Sequence, residues 1–236
     1  MALDRDLQSI QEVRDLIRAA KKAQEEFATW SQERVDALLK VICDACVDAA
    51  EPLAKMAVEE TGFGIWQDKV VKNLLGSKIT YEYIKDMKTI GVINEDRENK
   101  ILEIAVPMGI VAAIIPSTNP TSTVMYKSLI SLKAGNAITL PEFFSNRFHA
   151  AANAGAPAGL IGVIETTTMQ ATNELMSNKD TGIILATGGS AMVHAAYSSG
   201  NPALGVGPGN GPSFIERSAD IPLAVKRIMD SKTFDN

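Results

Sequence analysis

Residues Gly109–Leu140 read GIVAAIIPSTNPTSTVMYKSLISLKAGNAITL, and the order of elements in this stretch decides the fold class. Gly109 to Ile115 is a short, β-branched apolar run, the pattern of a strand buried on both faces. Pro116 ends it. Ser117, Thr118 and Asn119 follow, and Pro120 opens a helix, with Asn at the N-cap and Pro at the first helical position. Val124, Met125, Leu129 and Leu132 recur at helical spacing, and Gly135 is the stop signal. Asn136 to Leu140 reads as a second strand. The stretch is one βαβ unit with a polar turn at the carboxyl end of its first strand, where open parallel sheets bind ligands.

Alternation continues downstream. Leu160 to Ile164, Gly182 to Ala186, Ala203 to Val206 and Ser213 to Glu216 read as strands. Asn173 to Asn178, Ser190 to Ser198 and Ile221 to Met229 read as helices. Such alternation implies a parallel sheet covered on both sides. Upstream, Ile10 to Trp30 and Ser31 to Ala50 carry amphipathic helical periodicity, Leu53 to Glu60 continues it as far as Thr61-Gly62, and Lys69 to Met87 is a further helix. Thr89 to Asn94 and Lys100 to Val106 read as two strands around the polar turn Glu95 to Asn99. A two-stranded ribbon is marginal alone, so it is expected to pair elsewhere. The expected architecture is α/β in three parts: a helical layer over 1–87, a ribbon over 88–106, and a Rossmann-like parallel sheet over 107–236.

The length of 236 residues suffices for one large α/β domain with a helical annex. Hydrophobic residues make up 46% and charged residues 22%, an ordinary globular balance. A net charge of -5 without any basic run argues against a nucleic-acid partner. The start, MALDRDLQSI, is charged and lacks an apolar signal core, and no stretch is apolar enough to span a bilayer. A soluble, cytoplasmic protein without a membrane partner is expected. The only cysteines, Cys43 and Cys46, have C-x-x-C spacing. They sit on a helix whose apolar stripe includes Ile42 and Cys46, with Cys43 at its border, which reads as packing rather than redox or zinc chemistry. The only histidines, His149 and His194, are not placed to complete a metal site. No metal is expected.

Thr187-Gly188-Gly189 joins a buried strand to a helix N-terminus. Glycines there let the backbone approach a ligand, and the helix end offers N–H groups to an anion, although a tight connection explains the pattern equally well. Gly205-x-Gly207-x-Gly209 is followed by a strand rather than a helix, so it fails the context test for a dinucleotide fingerprint. Asn119 reads either as a helix N-cap or as an amide donor to an oxyanion. Glu142 lies where a carboxylate meets a ribose hydroxyl, but reads first as a solvated loop acid. His194 reads as a structural or exposed helix residue. Lys127 and Lys133 are expected on the solvent face of their helix.

Several stretches carry a resemblance: IIPSTNPTSTVMYKSLISLKAGNAI, LAKMAVEETGFGIWQDKVVKN, ILATGGSAMVHAAYSSGNPALGVGPGNGPSFIE and the final SKTFDN. Together they resemble the coenzyme A-acylating aldehyde dehydrogenases, including the aldehyde half of bifunctional aldehyde–alcohol dehydrogenases. The resemblance implies an aldehyde-dehydrogenase-type fold, NAD as cofactor and coenzyme A as co-substrate. It implies that Ile114, Ile115, Pro116, Ser117, Thr118 and Asn119, with Thr187, Gly188, Gly189 and Gly207, line the cofactor. It implies that Asn119 holds the oxygen of a thiohemiacetal, and that the ribbon makes subunit contacts in a homo-oligomer or with a full-length homologue. Leu204 to Gly207 carries no carboxylate to activate water, which fits transfer to a thiol.

Two departures bear on this. In the family a catalytic cysteine follows the SKTFDN motif, and here the sequence ends at Asn236, so the chain alone is expected to be inactive. The segment Leu140 to Ala152 is shorter than its counterpart and lacks part of the helix that flanks the adenosine. Other roles compatible with the residues are a non-catalytic nucleotide-binding or regulatory protein, a structural subunit, and a truncated fragment.

Overall fold

The computed structural model describes residues 4–141, 151 and 154–235. Its centre is a five-stranded parallel sheet in the order β5-β4-β3-β6-β7, formed by β3 (Ile110–Ile114), β4 (Ala137–Pro141), β5 (Ile161–Ile164), β6 (Thr181–Thr187) and β7 (Ala203–Val206). Every residue of the central strand β3 is buried, which is why its sequence is an unbroken apolar run. Its side chains divide by the strand period of two. Ile110, Ala112 and Ile114 join the cluster that contains Val13, Ile17, Ala171 and Leu175. Val111, Ala113 and Ile115 join Val124, Ile138 and Leu140. Packing on both faces keeps the register, since a slip of one residue would exchange the two sets.

The chain runs outward from β3 through β4 to β5, then returns to β6 on the other side of β3 and continues to β7. The direction of winding therefore reverses between β3 and β6. A crevice opens at such a switch point, beyond the carboxyl ends of the two strands.

Helix α6 (Pro120–Lys133) joins β3 to β4. It stops at Gly135, which adopts φ +75°. Gly135 N–H donates to Leu132 O and Asn136 N–H to Ser131 O, the paired bonds of a Schellman cap, and a side chain at that φ would be strained. The helical layer consists of α1 (Arg5–Phe27), α2 (Gln32–Asp48), α3 (Ala50–Thr61), α4 (Trp66–Leu74) and α5 (Thr80–Ile84). Val13, Ile17, Ala20, Ala23 and Phe27 of α1 are buried along one stripe, and α1 lies against β3, β4 and β5. Each large apolar side chain so buried contributes about 1.5–3 kcal/mol. The expected single helix over Lys69 to Met87 is instead α4 and α5 joined by a π-helical turn, Leu75–Ile79. The wider turn brings Gly76 against α6, where an added Cβ would sit 2.5 Å from Ser122 O.

Helix α7 (Met169–Ser177) begins earlier than expected because Thr168 caps it, its Oγ1 accepting from Ala171 N–H at 3.0 Å. Helices α8 (Ser190–Tyr197) and α9 (Ile221–Lys232) follow β6 and the turns after β7. Strands β1 (Gly91–Asp96) and β2 (Ile101–Ala105) form the antiparallel ribbon, with a register irregularity between Val92 and Asn94. Ser213 to Glu216 is not a strand: among the described residues it finds no partner, and Phe214 is 91% exposed.

Lys133 is also corrected. It is 2% exposed rather than solvated. Its ammonium donates to Asp36 at 2.5 Å and to Lys85 O at 2.9 Å, so a buried charge is paired and ties α6 to α2 and to the end of α5. Cys43 is the more buried of the two cysteines and Cys46 is half-buried, the reverse of the expected order, but both pack in the apolar core of α2. Among the described residues no helix is long and apolar enough to cross a membrane, and no group of three or more metal-ligating side chains occurs.

Candidate active site at the sheet switch point

The carboxyl ends of β3 and β6 are tied together by one side chain. Lys127 of α6 donates from Nζ to Ile114 O and to Leu185 O, both at 2.7 Å. It is 4% exposed, against the expectation that it faces solvent. Burial pulls its pKa down to about 7. The two carbonyls accept two N–H groups, which an uncharged amine supplies as well as an ammonium does.

Beyond β3 the chain turns through Pro116 to Asn119. The turn is held from α4, where Lys69 donates to Thr118 O at 2.7 Å. Asn119 is at the N-cap position of α6, but its side chain makes no capping bond. Thr123 serves the helix entry instead, with Oγ1 donating to Asn119 O at 2.7 Å. The Asn119 side chain turns to α4, where its Oδ1 accepts from Lys72 Nζ at 3.2 Å. The N-cap reading is therefore overturned: a cation from another helix takes the oxygen that capping would have used. Asn119 Nδ2 lies 3.5 Å from Thr118 Oγ1, the outer limit of a hydrogen bond.

Asp235 closes the cluster. Its side chain is 0% exposed and receives Lys69 Nζ at 3.1 Å, Lys72 Nζ at 2.8 Å and Ile65 N–H at 3.1 Å. Its own backbone N–H donates to Asp68 Oδ2 at 3.0 Å. Two lysines one turn apart on α4 thus hold both the Thr118–Asn119 turn and the end of the SKTFDN motif.

A cavity of about 490 Å³ opens here, with Lys72, Gly76, Asn119, Tyr126, Lys127 and Thr187 in its wall. Thr187-Gly188-Gly189 leads from β6 into α8. An added Cβ would meet nothing at Gly189 and only ordinary contact with Met192 at Gly188. These glycines are not demanded by the protein's own packing, so the space above them suits a ligand brought close to the backbone. Gly188 N–H donates to Val206 O at 3.1 Å, which sets the Gly207 turn beside it. A Cβ at Gly207 would also meet nothing. Gly205 differs: a Cβ there would lie 2.6 Å from Val193, so it serves the packing of α8 on β7.

With this geometry in hand, the comparisons with known proteins are specific. A family model described as the aldehyde dehydrogenase family matches residues 6–236. The chain belongs to the aldehyde dehydrogenase family. It is 48% identical over 97% of its length to the bifunctional aldehyde-alcohol dehydrogenase of Escherichia coli K12, and matches 27% of that protein. The crystal structure of a probable aldehyde dehydrogenase from Listeria monocytogenes EGD-e is 60% identical, with a TM-score of 0.94, covering 98% of this chain and 53% of that one. The structure of an acetylating aldehyde dehydrogenase from Geobacillus thermoglucosidasius is 52% identical, also with a TM-score of 0.94, covering 99% and 54%. The likeness to acylating aldehyde dehydrogenases read from the sequence is borne out, and so is the aldehyde-dehydrogenase-type fold. The chain spans about a quarter of the length of the bifunctional relative and about half of the two solved structures.

In this aldehyde dehydrogenase chain the structure brings Asn119 and Thr187 to one cavity, with Gly188 next to Thr187 and bonded to Val206, the residue before Gly207. His194 is exposed on α8. Glu142, His149 and most of the short segment Leu140 to Ala152 lie outside the described residues. The sequence reading missed Lys69, Lys72, Lys127 and Asp235. A signal existed for Lys127: it stands three residues after buried Val124, on the apolar side of α6. For Lys69 and Lys72 the only signal was their one-turn spacing in the stretch that resembles the family.

Proposed function

We propose that this chain is the NAD-binding part of a coenzyme A-acylating aldehyde dehydrogenase, whose reaction converts an aldehyde, coenzyme A and NAD to acyl-CoA and NADH. The observation that carries the reading is that Asn119 and Thr187, the latter followed directly by the open Gly188-Gly189 turn, line one cavity at the switch point. Bound there, NAD would supply the hydride acceptor. Ile114 to Asn119 on one side, and Thr187, Gly188, Gly189 and Gly207 on the other, would hold it. The glycine turn, at the N-terminus of α8, would offer its N–H groups to the anionic part of the dinucleotide. Asn119 donates an N–H to the aldehyde oxygen as it gains charge, which favours attack at the carbonyl carbon. The stretch Leu204 to Gly207 before the glycine turn carries no carboxylate to activate water, which supports transfer of the acyl group to a thiol over hydrolysis.

Neither cysteine of the chain lines this cavity. Both are on α2, and burial raises their pKa values, Cys46 to about 12, so neither is a ready thiolate at neutral pH. The expected result is no NADH production from this chain with acetaldehyde and coenzyme A, and no change when both cysteines are replaced by serine. NADH formation that disappears in the double variant would overturn the assignment of the cavity as the reaction site.

We propose the division into a helical layer over 1–87, a ribbon over 88–106 and an NAD-binding part over 107–236, in a cytoplasmic protein. The ribbon leaves Ile101, Leu102, Ile104 and Val106 more than half exposed, an apolar surface that suits a subunit contact. Self-association should appear as concentration-dependent light scattering. A strict monomer over the whole dilution series would remove the ribbon's role in this chain.

A further inference from the structure

The contact between Lys72 and Asn119 has a chemical consequence. An ammonium offers three donors and no acceptor, so the amide atom that faces it is the oxygen. The Asn119 NH2 group is therefore turned away from Lys72, and its nearest protein partner is Thr118 Oγ1 at the long distance of 3.5 Å. Lys72 and Asn119 share the cavity wall. The lysine is itself fixed, with Nζ 2.8 Å from the buried Asp235 carboxylate and 5.5 Å from the Phe234 ring centroid. Asp235 in turn is held by Lys69 and by Ile65 N–H, contacts that do not involve Asn119.

We infer that Lys72 is a positioning residue for the Asn119 amide, acting through Oδ1. It selects the amide orientation that presents N–H, rather than C=O, to a developing oxyanion. A cation on the oxygen also polarises the amide and strengthens its N–H as a donor. Without Lys72 the amide is free to turn over, and the oxygen then faces a site that must accept negative charge. This rests on the proposed role of Asn119 as oxyanion donor, and it adds the residue that makes that role geometrically defined.

The test is nitrogen-15 NMR of the full chain, following the Asn119 side-chain NH2 pair, assigned by its loss in Asn119→Ala. Acetate serves as a small oxyanion probe. In the unmodified chain the pair should shift on titration with acetate. In Lys72→Met it should be displaced before acetate is added, and apparent acetate affinity should fall about tenfold, as expected for loss of a charge-supported hydrogen bond. Lys72→Arg, which keeps charge and donors, should recover most of the response. Lys72→Gln, which keeps a donor without the charge, should fall between. A merely structural lysine would not rank Arg, Gln and Met in that order. Backbone resonances away from the site report whether each variant is folded, and if Met is not tolerated the Arg–Gln comparison carries the same decision. An unchanged acetate response in Lys72→Met would overturn the inference and leave the donor role standing. An Asn119 pair indifferent to acetate in the unmodified chain would overturn both.

Discussion

Asn119→Ala should lower kcat for aldehyde oxidation by about 10²–10³-fold, the usual cost of removing one oxyanion donor. The measurement requires residues 1–236 joined to a segment that carries the family's nucleophilic cysteine. Affinity for NADH should stay within about twofold, because in the proposed role the side-chain N–H acts on the aldehyde oxygen in the transition state, leaving the backbone of the 114–119 turn to hold the cofactor. The split between kcat and cofactor binding is the informative part. The Asn119 side chain caps nothing, so its removal deprives α6 of no hydrogen bond, and Thr123 still closes the helix entry. An equal loss in cofactor affinity and turnover would mean that the residue shapes the cofactor site, and a loss below about threefold would remove it from the chemistry.

Lys69→Met should destabilise the folded chain by about 3 kcal/mol, within the range for breaking a buried ion pair by removing one partner. Lys69 and Asp235 are 1% and 0% exposed, so the methionine leaves a carboxylate that water does not reach. Lys72 remains as its second partner, which holds the cost at the lower end. The same substitution releases Thr118 O, so the turn that carries Asn119 should loosen with it. Adding Asp235→Asn to Lys69→Met should recover at least about half of the loss, since the amide is neutral and asparagine accepts the left-handed backbone at this position, φ +60°. Urea unfolding of the single and double variants reads this directly. A single variant within about 0.5 kcal/mol of the parent, the size of an ordinary surface substitution, would show that Lys72 and water together satisfy the carboxylate without Lys69.

The parallel sheet was legible because its signals are local. Gly109 to Leu140 contains an apolar run of strand length, a helix opened by Asn-Pro and a glycine that closes it, and the structure keeps each of these. The crevice followed from the same stretch, since a polar turn at the carboxyl end of a buried strand has few other uses. The buried lysines were not legible. Lys127 finds its acceptors on Ile114 and Leu185, and Lys133 on Asp36 and Lys85, none of them neighbours in sequence. A long charged side chain on a helix reads as solvated unless its distant partner is known. Asn119 misled in a related way. The Asn-Pro start is real, but the side chain is claimed by Lys72 from a different helix. Asp235 illustrates the limit most clearly, because its partners, Ile65, Asp68, Lys69 and Lys72, lie in and just before α4, far from it in sequence. The strand expected over Ser213 to Glu216 failed for the opposite reason: a suitable pattern was present, but no neighbouring strand among the described residues pairs with it.

On the proposed function, the crevice between β3 and β6 binds a nicotinamide dinucleotide. Isothermal titration calorimetry of the folded chain with NADH tests it most directly. Saturable heat is expected, with a dissociation constant of about 1 mM or tighter, a binding free energy of at least about 4 kcal/mol in magnitude. That heat should be lost in Gly189→Val, which fills the space above the glycine turn. Absence of heat up to several times that concentration of NADH, from protein shown to be folded, would rule out a dinucleotide site in the crevice, as would undiminished binding in the glycine variant.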